Sequence, residues 1–145
     1  MAILEFSLDL PTQSSQLMKL CEDYENLSKY LPDQLKSVRI IEKNETETKT
    51  EETVVFSTLI KKEIIQQALH RKISDNKLNT EIISGPAKGT MIYIIFETNN
   101  SGSKIIIETD LKLILKAKIF LPLIKKFYKT VLTAVFYKMN NMIES

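Results

Sequence analysis

The chain has 145 residues, 43% hydrophobic and 26% charged, with a net charge of +2, one cysteine and one histidine. That length suits one domain with a sizeable core, and the balance is that of an ordinary globular protein, not a disordered or fibrous one. A single cysteine excludes an intramolecular disulfide, and with a single histidine it excludes the usual zinc clusters; no metal or other cofactor is expected. No apolar run approaches the roughly 18 residues of a membrane span. The opening MAILEFSLDLP carries Glu5 and Asp9 and lacks a basic start, so it does not read as a signal peptide, and the expected location is cytoplasmic. The sequons at Asn26, Asn44 and Asn99 then carry no meaning.

In chain order, residues 2–8 alternate around Ile3, Glu5 and Ser7, the pattern of a short strand, and Pro11 breaks it. Thr12 or Ser14 then caps a helical segment in which Leu17, Leu20, Cys21 and Tyr24 recur, continued by Leu27, Tyr30 and Leu31. This predicts two short helices, broken near Asp23 and closed by Pro32. Cys21, set among Leu17, Leu20 and Tyr24, reads as a small buried hydrophobe and not as a nucleophile.

After Pro32 the texture changes to β-branched runs at 37–43, 53–60, 77–84, 90–98 and 103–113. Asn44–Thr48, Gly85-Pro86, Gly89 and Asn99–Gly102 mark the turns between them, and the last is the clearest hairpin signal. Residues 63–73 fit both periods: Ile64, Ile65, Ala68, Leu69 and Ile73 suit a helix, while Ile65, Leu69 and Ile73 suit a strand. Pro122 suits the first turn of a final helix of about twenty residues, in which Leu123, Phe127, Val131, Ala134, Val135, Met139 and Met142 share one side.

Strands segregated from helices imply α+β: one strand, two short helices, about six further antiparallel strands and a long amphipathic helix. In residues 103–113, Ile105, Ile107, Thr109, Leu111 and Leu113 point one way and Ile106, Glu108, Asp110 and Lys112 the other, so one sheet face is apolar and curls around the helix.

Charge is spread unevenly. No acidic residue occurs from Leu111 to Ile143, while Lys112, Lys116, Lys118, Lys125, Lys126, Lys129 and Lys138 all do. The segment reads either as a helix with a solvated lysine face or as a surface that steers anions.

The element order, with Pro11, DYENLSKYLP at 23–32 and FYKTVLTAVFYKM at 127–139, resembles the START-like, helix-grip superfamily (SRPBCC, polyketide cyclase/dehydrase and lipid transport). Within it the chain looks most like the coenzyme Q-binding, Coq10-like branch, whose second helix carries an aspartate, a tyrosine and a proline at similar spacing. The resemblance implies a curved antiparallel sheet of six or seven strands wrapped around the C-terminal helix, with 63–73 as a strand. It also implies a cavity between the two that binds a hydrophobic small molecule such as a lipid or quinone.

By alternation the inward candidates are Val55, Ser57, Leu59, Met91, Tyr93, Ile95, Ile107, Thr109 and Leu111, facing Phe127, Val131, Ala134 and Val135. The same pattern also fits a filled core, because periodicity reports burial and not space. Tyr93, Ser57 and Thr109 are the candidates for orienting a ligand. With 63–73 as a strand, Gln67 and Arg71 share the inward phase, and an inward arginine demands an anion or a different phase. His70 then falls on the outer surface, which leaves no nucleophilic triad. Glu97, Glu108 and Asp110 alternate as the solvated face of strands, not as acid–base groups. Two other readings stay open: a cyclase or dehydratase using the same cavity, and a module docking through residues 116–129 on an anionic membrane, a ribosome or a protein. Nucleic-acid binding would rest on lysines alone, without arginine-rich or stacking motifs.

Overall fold

The structure, a computed structural model, describes residues 2–56 and 62–144. The elements are β1 (Ala2–Leu10), α1 (Ser14–Glu22), a 3-10 helix (Tyr24–Lys29), β2 (Leu35–Lys43), β3 (Glu47–Phe56) and β4 (Lys62–Ser74). There follow β5 (Lys77–Ile82), β6 (Met91–Asn99), β7 (Gly102–Leu111), a second 3-10 helix (Leu115–Phe120) and α2 (Leu121–Glu144). The two short helices after the first strand meet at Asp23, the ambiguous segment at 63–73 is a strand, and Pro122 stands in the first turn of α2. The predicted strand positions Ser57 and Leu59 lie outside the described residues.

All seven strands form one antiparallel sheet in the order β1-β7-β6-β5-β4-β3-β2. β2 to β7 follow one another as a meander, and β1 crosses to pair with β7. The turns are where the sequence marks them. Asn44 Oδ1 accepts the backbone N–H groups of Thr46 and Glu47, a side chain standing in for a turn carbonyl. Asn99 pairs with Gly102, leaving Asn100 and Ser101 as a two-residue loop.

α2 lies across the inner face, and its two halves do different work. Phe136 and Met139 in the C-terminal half are fully buried with Ile105, Ile107, Phe96 and the α1 residues Leu17, Met18 and Cys21. The Phe96 and Phe136 rings meet edge to face, with centroids 6.2 Å apart. Each such side chain contributes about 1.5–3 kcal/mol by leaving water. A polar clasp holds the same end: the Thr12 hydroxyl donates to Asn140 Oδ1, and Ser103 donates to the Thr12 carbonyl at 2.9 Å. The N-terminal half makes no such core. Beneath it the sheet curls away and leaves space.

Candidate ligand-binding site

Two cavities occupy that space. The larger, about 450 Å³, lies at the mouth between the β5–β6 loop (Pro86, Ala87), the second 3-10 helix (Ala117, Phe120) and Ile124 of α2. The smaller, about 180 Å³, runs deeper between the sheet and α2, lined by Tyr24, Val54, Leu78, Ile92, Ile94, Phe127, Val131 and Val135 among others. Gln66 and Tyr128 line both, so the two meet there.

The inner faces of β3 and β4 bring a polar cluster into the deep cavity. His70 is 6% exposed and Glu52 is 13% exposed. The Thr50 hydroxyl donates to Glu52 Oε2 at 3.1 Å, and Gln66 Nε2 donates to Glu52 Oε1 at 2.9 Å. His70 Nε2 stands 2.8 Å from the Thr50 oxygen and 3.4 Å from Glu52 Oε2. Because the single Thr50 proton is directed at Glu52, Nε2 carries the proton in its bond to Thr50. Nδ1 meets the Thr80 hydroxyl at 2.8 Å, and the Tyr24 ring stacks on the imidazole at 4.2 Å between centroids.

Burial opposes charge on the Glu52 carboxyl, but the hydrogen bond and charge of His70, with Gln66 and Thr50, outweigh it and hold its pKa below the usual carboxylate range. Burial raises the pKa of Tyr128 well above that of an ordinary phenol, and the Glu52 charge adds to the effect. Burial first and Glu22 second do the same to Tyr24, with a smaller contribution from Cys21. Cys21, on the cavity wall, has its thiol pushed far up by burial and then by Glu22; it is an inert apolar group.

The sequence-derived candidates divide. Ile107, Thr109 and Leu111 are on the inner face of β7 and are fully buried, with Ile107 in the core. Phe127, Val131 and Val135 line the deep cavity, while Ala134 falls at the margin of that helix face and lines neither cavity. The phase expected for β3 and β6 is corrected. Val54, Ile92 and Ile94 face the cavity, so Val55, Met91, Tyr93 and Ile95 stand on the convex face. There Tyr93 carries Lys77 Nζ 4.9 Å from its ring centroid. Ser57 and Leu59 are outside the described residues. The phase of β4 is corrected too. His70 and Gln66 point in, and Arg71 points out, where its Nε donates to Glu47 at 2.6 Å and Nη1 and Nη2 donate to Glu81 at 3.2 Å. The anion an inward Arg71 would have required is supplied by two carboxylates on the outer surface.

Tyr24, Glu52, Gln66, His70, Thr80 and Tyr128 were not singled out from sequence. For the phase of β6, though not for these six, a signal was available. The two-residue loop at Asn100–Ser101 pairs Ile94 with Ile107 and Ile92 with Thr109, and directly paired residues share a face. The charged Glu108 and Asp110, on the opposite face of β7 from Ile107 and Thr109, therefore already fix which side of β6 is inner.

Solved structures carry the same architecture. The aromatase/cyclase Zhui of Streptomyces sp. R1128 superposes with a TM-score of 0.84 at 9% identity, over 98% of this chain and 95% of that one. This is a helix-grip fold. A START superfamily protein of Mycobacterium smegmatis matches at TM-score 0.79 and 11% identity, over 98% of this chain and 97% of its own. Norcoclaurine synthase of Thalictrum flavum matches at 0.74 and 15%, over 98% and 86%. No protein-family model and no curated protein sequence matches the chain. The shared helix-grip architecture thus rests on backbone geometry, at identities that show fold alone. No helix among the described residues is long and apolar enough to cross a membrane, and among them no group of three or more His, Cys, Asp or Glu side chains is placed to hold a metal ion.

Proposed function

We propose that this chain binds a hydrophobic small molecule, such as a lipid or a quinone, between the sheet and α2, and thereby sequesters or carries it. The observation that carries the reading is the pair of cavities meeting at Gln66 and Tyr128. Their walls are mostly apolar with a few convergent polar groups, and the larger falls in the roughly 300–1,000 Å³ range of ligand pockets. Apolar burial supplies affinity at about 25 cal/mol per Å². Orientation comes from Tyr128, whose hydroxyl has no hydrogen-bond partner among the described residues, and from the Gln66 amide beside it. The norcoclaurine synthase of the same fold is in complex with dopamine and hydroxybenzaldehyde, which supports small-molecule binding as a use of this architecture.

Titration with an apolar fluorescent probe, and native mass spectrometry for copurified ligand, test the reading. Ala117→Phe places a ring in the larger cavity and is expected to weaken probe binding about ten-fold or more, with the thermal midpoint little changed. No binding by the wild type, or undiminished binding in this variant, overturns it.

A second reading, an acid–base enzyme of the cyclase or dehydratase type, is favoured by one observation: the Glu52–His70 pair faces the smaller, deeper of the two cavities. Such a pair can remove a proton α to a carbonyl and return it to a departing hydroxyl as water. If a β-hydroxy carbonyl compound is turned over, Glu52→Gln and His70→Gln should each lower the rate by about 10²–10⁴ while leaving probe affinity near wild type. Probe binding without turnover leaves the binding reading alone.

A further inference from the structure

Of the ten large hydrophobic side chains exposed among the described residues, five fall within ten positions: Ile114, Leu115, Ile119, Phe120 and Leu123. Leu115 is 84% exposed and Ile119 is 78% exposed. Burying them would have been simple had the second 3-10 helix turned inward, but its inner side is already taken. Ile114, Lys116, Ala117 and Phe120 line the mouth of the larger cavity. The segment therefore has two working faces, one toward the cavity and one toward solvent. Lys116, Lys118 and Lys126 are exposed around the outer face and Lys125 is partly so. Among the described residues these four make no ion pair, and no acidic residue intervenes from Leu111 to Ile143.

We propose that this rim, residues 114–126, is a docking surface for an anionic lipid bilayer, with Leu115, Ile119, Phe120 and Leu123 entering the headgroup boundary and the lysines meeting the lipid charge. The chemistry selects a bilayer over other polyanions. Leu115, Ile119 and Leu123 are aliphatic and have nothing to stack on in a nucleic acid, and side chains exposed on one short helix offer no groove to a folded partner. Lysines act as unspecific point charges, suited to a diffuse field and not to a planar phosphate fork. Insertion of apolar side chains and attraction of lysines to anionic lipid reinforce one another, since either alone gives only weak attachment. The position adds a consequence that rests on the ligand reading above. A hydrophobic molecule leaving the bilayer beneath this rim would enter the larger cavity without crossing water.

Cosedimentation of the full chain with vesicles tests the surface without any ligand. Binding is expected to vesicles of phosphatidylcholine doped with phosphatidylglycerol and not to phosphatidylcholine alone, and to weaken strongly at about 0.5 M salt. Leu115→Ser/Ile119→Ser should reduce binding about ten-fold or more, and Lys118→Glu/Lys126→Glu by a similar factor, at roughly five-fold per lysine lost before reversal of charge. Both pairs replace solvated side chains, and unchanged thermal midpoints would show that the fold is kept. Equal binding to neutral and anionic vesicles, or undiminished binding by the serine variant, overturns the proposal. So does salt-sensitive binding to an RNA oligonucleotide in the absence of vesicle binding. Vesicle binding by a chain that takes up no apolar probe supports the docking surface and overturns the ligand reading instead.

Discussion

The Thr109 hydroxyl is fully buried on the inner face of β7 and has no hydrogen-bond partner among the described residues. Such an orphan costs about 1–3 kcal/mol relative to a satisfied or apolar group. Thr109→Val keeps the shape and removes the orphan, so it should stabilise the fold by about 1 kcal/mol and raise the thermal midpoint by a few degrees; a lower midpoint would mean that the hydroxyl has a structural partner. Glu52 presents the opposite situation, a buried carboxylate saturated by Thr50, Gln66 and His70. Its folded pKa lies below its unfolded one, near 4.3, so its contribution is fully present above that value and is lost as pH falls through the lower, folded value. Below about pH 4 the wild type should therefore lose stability more steeply than Glu52→Gln, as measured by calorimetry at a series of pH values. Parallel curves would show that the carboxylate is not held by its neighbours.

At the scale of elements, Gly102 shows how closely β1 and β7 approach. Its φ is +141°, and a Cβ there would stand 2.3 Å from the Leu10 carbonyl oxygen and 2.6 Å from Pro11 backbone atoms. Neither neighbour is a flexible side-chain end, so Gly102→Ala should cost about 3 kcal/mol or more; a chemical denaturation midpoint near that of the wild type would contradict the close approach. Turns of this kind made the strands legible, because Asn and Gly punctuate the chain wherever the backbone must reverse. The long α2 was legible because one side of it repeats every three to four residues. The phase of β6 was not legible from its own residues, since MIYIIF is apolar on both faces and alternation then carries no direction; only the hairpin register to β7 supplies it. β3 is opaque for the converse reason: its inner row, Thr48, Thr50, Glu52 and Val54, is mostly polar, so no apolar alternation marks it. β4 reverses the rule outright, exposing Ile65 and Ile73 on the convex face and burying Gln66 and His70. Hydrophobic periodicity finds cores, and the polar part of a binding site is where it fails.

Across the whole molecule, the two halves of α2 divide stability from function. The C-terminal half is fixed by Phe136, Met139 and the Thr12–Asn140 clasp and touches only the inner end of the smaller cavity, through Phe136 and Met139, whereas the N-terminal half, with half-buried Phe127, Tyr128 and Val131, stands over both cavities. An apolar ligand seated there would add contacts to the loosely packed half and few to the other. Binding also stabilises the folded state as a whole, by about 2.7 kcal/mol at a hundred-fold excess over Kd. Local openings that precede global unfolding are the ones a ligand suppresses first. Amide hydrogen exchange should therefore slow by about ten-fold or more across residues 117–132 when an apolar probe binds, while residues 136–143, already protected by the core, change far less. The reverse pattern, with protection gained near Met139 and none near Tyr128, would confine the ligand to the inner end of the smaller cavity and contradict a site running from the mouth. The same measurement on the Leu115→Ser/Ile119→Ser variant separates wall from rim. Those side chains face solvent, so the probe-induced protection at 117–132 should survive the substitution even where attachment to vesicles does not.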